Sequence, residues 1–500
     1  MRALFVYRSD VDADGGAGTV MRETARALRD LDVEVDVTYD ARPVVDGYDL
    51  VHAFNIWDPA TALAQLRDLR STGLPVVWLP FYLHWCEFAW ASQALRLIFG
   101  AAAPHERPPL LEAFAAGTLE LNGLGQRRFN EVYPGFHRDL VEMLDCVDHV
   151  CAISHHELQL LAQVTRFTSK PFTLTPHGVD QVFADASPDA FRARVGLDEF
   201  VLCVGAVDTR KNQLLLIEAL KDTGLPLVLV GPALEGGYLE ICRHVGGDRF
   251  LYLDRLPREL VASAYKAARV HALPSFAEGS ALANLEAASA ACPIVVSNRS
   301  SEFEYFGDAP YYCDPADPAS IRAAVQQAWD QGPREPERWL ALSERMREYT
   351  WERTARATLT AYERVLATPR PAPEVEGLRS FVALSFADEL IESPELLRAY
   401  GKAFGGADDA TLVIVGLDDG IGERLESAVS EAGLADEAGP DLLALPLGTR
   451  DASETMLPRR VHAVFSHREP TTPFAAAPRF DETRIGELRA LAERRWREVA

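Results

Sequence analysis

Two carboxylates stand eight residues apart in the run Pro274-Ser275-Phe276-Ala277-Glu278-Gly279-Ser280-Ala281-Leu282-Ala283-Asn284-Leu285-Glu286-Ala287. An apolar strand, Ala268–Leu273, leads into Pro and Ser, then a loop carrying Glu278, then a helix carrying Glu286. If the intervening segment is mostly helical, the two carboxylates lie about 10 Å apart. That is comparable with the reach of a sugar nucleotide from its ribose to its hexose. Between them, Ser280 to Leu282 open the helix and present free backbone N–H groups at its positive end, where a diphosphate sits readily. Two ordinary helix glutamates would have the same spacing. What sets this pair apart is its place directly after a strand that ends in Pro-Ser.

A second constellation is Val204-Gly205-Ala206-Val207-Asp208-Thr209-Arg210-Lys211-Asn212, which follows the apolar strand 200–204. Gly205 permits a tight turn. Arg210 and Lys211 then flank the start of a helix predicted over Gln213–Leu220. Cations beside a helix N-terminus oppose the dipole, an arrangement that makes sense when an anion lies between them. Arg grips phosphate through two parallel N–H groups and Lys adds a point charge. The alternative is a solvated surface pair. The mouth of a strand in a parallel sheet is where ligands bind, which favours the first reading.

The elements that would hold these residues are buried strand runs alternating with amphipathic helical stretches, the signature of parallel sheets covered by helices. Strands are predicted at Leu4–Tyr7, Val33–Thr38, Leu50–Ala53, Pro75–Leu79, Val141–Leu144, Val150–Ile153 and Phe172–Thr175, with a helix from about Val20 to Asp30. A second unit begins near Phe200, with strands at Phe200–Val204, Leu225–Val230, Phe250–Leu253, Val270–Leu273 and Pro293–Ser297. Its last helical stretch, Pro336 to Leu366, is interrupted near Tyr349-Thr350-Trp351. The division predicted is an N-terminal lobe, 1–185; a second lobe, 186–350; a helix returning to the first lobe, 351–367; a proline-rich linker, 368–377; and an α/β tail, 378–500. The tail repeats the strand–helix rhythm of the second lobe, and 410–416 echoes 225–231. It has no basic pair after its first strand, and no pair of glutamates at this spacing follows its strand at 461–466, the place that corresponds to Glu278 and Glu286.

The chain has 500 residues and a formal net charge of -24. Nucleic acid is an unsuited partner, because phosphate neutralisation needs clustered Lys and Arg. Seven cysteines without a C-x-x-C pair suggest neither a disulfide framework nor a zinc site, and fit a reducing compartment. No apolar run approaches a membrane span, so a cytoplasmic location, at most peripheral to a membrane, is expected.

In this order, Gly205…Arg210-Lys211-Asn212, Glu278-Gly279…Glu286-Ala287, Pro176-His177-Gly178-Val179-Asp180, Pro293-Ile294-Val295-Val296-Ser297, Glu304-Tyr305-Phe306-Gly307-Asp308-Ala309 and Trp351-Glu352-Arg353-Thr354-Ala355 resemble the retaining glycosyltransferases of family four, over about residues 1–367. The resemblance implies a GT-B fold of two Rossmann-like lobes with a cleft between them. It implies a nucleoside-diphosphate sugar as donor, no metal and no further cofactor. Arg210 and Lys211 would bind the diphosphate, and Glu286 the ribose. Glu278 would contact the donor sugar and stabilise charge at its anomeric carbon. Gly279, Ser280, Ala281 and Leu282 would face sugar and phosphates, and Gly15-Gly16 would let the N-lobe backbone approach the donor.

Three departures stand out. Where the family carries a histidine near the acceptor, this chain has Leu79-Pro80-Phe81-Tyr82-Leu83-His84-Trp85; His84 is the candidate for that work, although Phe81 sits closer to the matching position. His177 replaces an Asn, and because both residues tolerate positive φ it reads as structural. The tail is not a usual part of the family; self-association or acceptor docking is its expected role. Asp10, Asp12 and Asp14 open like a calcium loop, but Met21 stands where a Glu is needed, so they read as a polar loop with Asp14 a candidate for acceptor contact. His52, His149, His155, His156 and His271 lack metal-ligand spacing. The acceptor is not named by the residues; the stretch Trp78–Trp90 and the helix-like Ala89–Gly100 are candidates to meet a lipid, a glycan or a peptide. A sugar-nucleotide epimerase or phosphorylase on the same fold, and a non-catalytic nucleotide-sugar-binding scaffold, are the competing readings.

Overall fold

The computed structural model describes residues 1–7, 15–56, 58–83, 85–121, 135–165, 170–368, 378–417, 420–435, 438–446, 460–469, 474 and 477–499. Two compact units result: Met1–Pro43, Asp49–Leu66 and Pro75–Ala367 form one, and Val44–Tyr48, Arg67–Leu74 and Thr368–Ala500 the other.

The first unit opens with a βα alternation: β1 (Arg2–Val6), α1 (Gly16–Arg29), β2 (Glu34–Thr38), β3 (Leu50–Phe54), α2 (Pro59–Ser71), β4 (Val76–Leu79), α3 (Trp85–Leu95), a π-helical turn (Arg96–Ala101), α4 (Arg107–Ala116), α5 (Phe136–Cys146), β5 (His149–Ala152), α6 (His155–Thr165) and β6 (Phe172–Leu174). The six strands are parallel, in the order β2-β1-β3-β4-β5-β6. The strand predicted at Val141–Leu144 is instead part of α5. Phe136, Leu140, Met143 and Leu144 are buried at helical spacing, and a four-residue apolar run alone does not distinguish that from a strand.

The second lobe comprises α7 (Val182–Asp185), α8 (Asp189–Val195), β7 (Val201–Val204), α9 (Gln213–Leu220), β8 (Leu227–Val230), α10 (Tyr238–Gly246), β9 (Phe250–Leu253), α11 (Arg258–Ala267), β10 (Val270–Leu273), α12 (Leu282–Ser289), β11 (Ile294–Ser297), α13 (Glu302–Phe306), β12 (Tyr311–Cys313), α14 (Pro318–Gln331) and α15 (Pro336–Met346). Its parallel sheet runs β12-β11-β10-β7-β8-β9. Then α16 (Trp351–Ala367) places Trp351, Ala355, Ala361, Tyr362 and Val365 in the N-lobe core with Phe5, Val20 and Leu28. The two crossings between the lobes touch: Val179 N–H donates to Tyr349 O at 2.8 Å. A Cβ on Gly178 would fall 2.4 Å from Trp351 N, so only glycine lets them meet.

The far part of the aromatic stretch after β4 turns away from solvent, into the other lobe. Trp90, Ala91, Ala94, Leu95, Ile98, Phe99 and Phe114 are buried in the core of the second lobe. Trp90 stacks on Phe114 with centroids 4.8 Å apart, and Phe114 meets Phe276 edge-on at 6.2 Å. Large apolar surface outweighs sequence neighbourhood here: these helices bury it against the lobe that has room for it.

In the second unit, β13 (Phe381–Phe386), α17 (Ala387–Glu392), α18 (Pro394–Ala403), β14 (Ala410–Leu417), α19 (Ile421–Glu431), β15 (Asp441–Pro446), β16 (Ala463–Phe465) and β17 (Arg479–Phe480) precede a final helix, Ile485–Val499. The parallel order β15-β14-β13-β16-β17 is third-second-first-fourth-fifth along the chain, the order of the first five strands of the second lobe. All four of these helices pack with one set of sheet residues, including Phe381, Leu412 and Phe465. Val382, Leu384, Val413 and Val464 form a separate cluster. Residues 447–459 of the tail lie outside the described residues. Among the described residues, no helix is long and apolar enough to cross a membrane.

Candidate active site

In the second lobe the chain leaves β7 and β10, neighbours in the sheet, in opposite directions, which opens a crevice at their carboxyl ends. Gly205–Asn212 leaves β7 and Pro274–Glu278 leaves β10, and the two loops are bonded to each other. Phe276 N–H donates to Arg210 O at 2.9 Å. Asn212, fully buried with φ 64°, gives both amide protons away, to Pro274 O at 2.9 Å and Pro315 O at 2.7 Å. The N-lobe supplies the facing wall from the segments that follow β1, β3, β4, β5 and β6.

Between them lies a cleft of about 760 Å³. Its lining brings together Gly15 and Gly16 from one lobe and Gly205, Arg210, Lys211, Glu278, Gly279, Ser280, Ala281, Leu282 and Glu286 from the other. His84 and Asp14 lie outside the described residues.

The basic pair does have an anion between its members, and that anion is Glu278. Lys211 Nζ and Arg210 Nη1 stand 2.6 and 2.8 Å from the same Oε1. Arg210 Nη1 also donates to Ala277 O at 3.2 Å, and Asp208 Oδ1 accepts the Lys211 N–H at 2.8 Å. Burial pushes the Glu278 carboxyl up, but the charges of Arg210 and Lys211 outweigh it and hold its pKa below the usual carboxylate value. Glu286 shows the opposite balance. Burial pushes it up to about 7, against a hydrogen bond from the Tyr265 hydroxyl (3.0 Å) and the charge of Arg258. The pair is therefore one ionised and one readily protonated carboxyl, flanking the start of α12.

Gly279 has a second task besides lining the cleft. A Cβ there would lie 2.2 Å from Ile153 Cδ1 at the end of β5, so glycine lets the N-lobe close on the Glu278 loop. Across the same boundary, Glu304 accepts the His155 and His156 N–H groups at the start of α6 (2.9 and 2.6 Å), Ser154 Oγ meets Ser301 Oγ at 2.8 Å, and Arg299 Nε pairs with the buried Glu87 at 3.0 Å.

Asp208, Tyr265 and Arg258 belong to the site and were not singled out from sequence. Arg258 pairs with Asp180 and lies 3.9 Å from Glu23 of the N-lobe; no motif announces it, since only the fold brings α11 to the cleft. The hinge reading of His177 needs correction. It is not among the positive-φ residues, whereas Phe81 is, at φ 49°. Both line the cleft. His52 and His149 are buried against Tyr362 and Thr173, and His271 against Asn284. His155 and His156 carry the start of α6.

In the tail, the corresponding strand mouths hold polar groups paired with one another: Ser466 Oγ donates to Glu389 at 2.5 Å, His467 Nε2 lies 2.6 Å from Glu482, and Arg468 binds Asp388 at 2.9 Å.

Comparisons with known proteins agree with this geometry. Residues 189–351 match the family model described as glycosyl transferases group 1. An O-antigen chain mannosyltransferase B of Escherichia coli is 30% identical over 192 residues, covering 36% of this chain and 50% of that protein. A D-inositol 3-phosphate glycosyltransferase of Mycolicibacterium smegmatis is 26% identical over 257 residues, covering 48% and 59%. The chain thus spans 50% and 59% of the length of these two curated relatives. Among solved structures, sucrose-phosphate synthase from Thermosynechococcus elongatus superposes with a TM-score of 0.55 at 16% identity, covering 73% of this chain and 100% of that one. Anabaena HepE in complex with UDP-glucose gives 0.53 at 16% identity, with the same coverage. Residues 189–351 thus match the glycosyl transferases group 1 model, and the chain shares the two-lobe GT-B fold of these solved structures.

Proposed function

We propose that the cleft transfers a sugar from a nucleoside-diphosphate sugar to a hydroxyl of an acceptor, with retention at the anomeric carbon and without a metal. One observation carries the reading: Arg210 and Lys211 converge on Glu278 beside the N-terminus of α12, with Glu286 further along the same helix. The diphosphate would draw on the two cations and the helix amides, which supply the counter-charge that a metal provides elsewhere. Glu286 would accept the ribose hydroxyls. Glu278, kept ionised, would stabilise positive charge on the anomeric carbon as its bond to the phosphate oxygen breaks. The acceptor oxygen would bond to that carbon on the same face, and its proton would pass to the departing phosphate. The protein's part is orientation and electrostatics.

The relatives' names, a chain mannosyltransferase and inositol-phosphate glycosyltransferases, support a carbohydrate or cyclitol hydroxyl as acceptor. The tail, without donor motifs, is proposed for acceptor docking or self-association. Thermal-shift titration of the full chain with UDP, GDP and their sugars tests the donor. A midpoint that none of them raises argues against the reading, since a ligand bound to the native state stabilises it by mass action. Turnover that survives EDTA, with the product's anomeric configuration read by NMR, tests the rest.

A further inference from the structure

His177 is held at several points. Its Nδ1 lies 2.8 Å from Ser280 Oγ and 3.3 Å from Ser280 O, and its N–H donates to the Tyr305 hydroxyl at 3.3 Å. Tyr305 in turn donates to Ile153 O at 2.7 Å. The side chain lines the cleft beside Phe81, with ring centroids 5.8 Å apart. Its other nitrogen, Nε2, is buried and has no hydrogen-bond partner among the described residues. His52 Nε2 and His271 Nδ1 are likewise unpaired, but those rings sit on core strands away from the cleft. His177 differs in having a ligand-sized space on one side. Desolvation holds its pKa down at about 4, so the ring is neutral and suits no phosphate. Whichever tautomer the Ser280 contact selects, Nε2 is then either a bare acceptor or a lone donor, and a hydroxyl is the group that can pair with both.

We infer that His177 Nε2 hydrogen-bonds a hydroxyl of the transferred sugar, making His177 a specificity-determining residue of the donor site. The inference rests on the proposed transferase reading and goes beyond it in naming the group that reads the sugar rather than the nucleotide. Ser280, two residues after Glu278, holds the ring beside the loop proposed to face the sugar.

The test uses the full chain, His177→Phe, which keeps a ring of similar size, and His177→Asn, which keeps a polar group. Calorimetric titration with UDP and GDP comes first, then turnover of the matching nucleoside-diphosphate sugar and of its single-deoxy analogues. The expected result is unchanged nucleoside-diphosphate affinity in both variants, with kcat/KM for the sugar down about tenfold to hundredfold in His177→Phe and less in His177→Asn. One deoxy analogue that the native chain discriminates against should be used by His177→Phe as well as the parent sugar. Native kcat/KM in His177→Phe, or a full set of retained deoxy penalties, overturns the inference while the transferase reading stands. Lost nucleoside-diphosphate binding in both variants would mark His177 as structural and overturn it too. If the native chain binds neither UDP nor GDP, the transferase reading fails and takes the inference with it.

Discussion

Lys211 Nζ lies 2.6 Å from Glu278 Oε1, the same oxygen that Arg210 holds at 2.8 Å. One carboxylate oxygen bridges two cations in a site whose side chains are largely removed from water, with Asp208 a second carboxylate 3.9 Å from Arg210. Whatever anion enters must share or displace that oxygen, so donor binding and the position of Glu278 are coupled.

Glu278→Ala should abolish transfer and also destabilise the protein. Removing the shared carboxylate takes away the partner of Lys211 and leaves Arg210 with Asp208 at 3.9 Å; breaking a buried pair costs about 3–5 kcal/mol, somewhat less here because Arg210 is 23% exposed. UDP or GDP, by restoring an anion, should raise the variant's melting midpoint by more than it raises the native one. A variant that melts normally and responds to nucleotide as the native chain does would contradict the coupling.

Glu286 sets a pH dependence. Its folded pKa is raised to about 7 from the ordinary carboxylate range, so the folded state holds its proton over a window where the unfolded chain has released it. Its contribution to stability is therefore complete below about pH 4.5 and is lost as pH rises through about 7. Glu286→Gln should flatten the fall in melting midpoint between pH 5 and 8. Buried Glu157 and Glu302, also near 7, keep some slope in the variant. An unchanged slope would show that Glu286 titrates normally.

Gly279→Ala should act through the lobe boundary rather than the chemistry. The new methyl would meet Ile153 Cδ1 at 2.2 Å, so the Ile153 side chain must turn away from the Glu278 loop and repack. A loss of kcat/KM is expected, partly recovered by adding Ile153→Ala. Failure of the second substitution to recover any activity would place the defect in the loop backbone instead.

Trp90→Ala should lower stability by about 3–5 kcal/mol, because Trp90 is fully buried in the second-lobe core. Part of that loss belongs to its stack on Phe114. A double-mutant cycle with Phe114→Ala should return a coupling of about 0.5–1.5 kcal/mol. Additive effects within error would mean the rings merely share a core.

Much of this site was legible along the chain. Gly205, Arg210, Lys211 and Glu278 sit at strand mouths, with Glu286 in the helix that follows one of them, and strand mouths are marked by local patterns: an apolar run, then Gly or Pro, then a helix start. Tyr265 and Arg258 were not legible as site residues, because nothing local distinguishes them from other tyrosine and arginine positions. The run Val141–Leu144 was misread for a related reason, since a short apolar run is compatible with both periods.

Sequence alone determined the alternation of strands and helices, the motif order, and which charges stand next to which loops, because these depend on residue type and spacing within a few turns. Tertiary structure decided the rest. It set Glu278 between the cations, sent the helices after β4 into the other lobe's core, and left one buried nitrogen of His177 without a protein partner among the described residues. Each of these depends on groups far apart in the chain competing for the same buried space or the same charge, and that competition has no expression until the chain is folded.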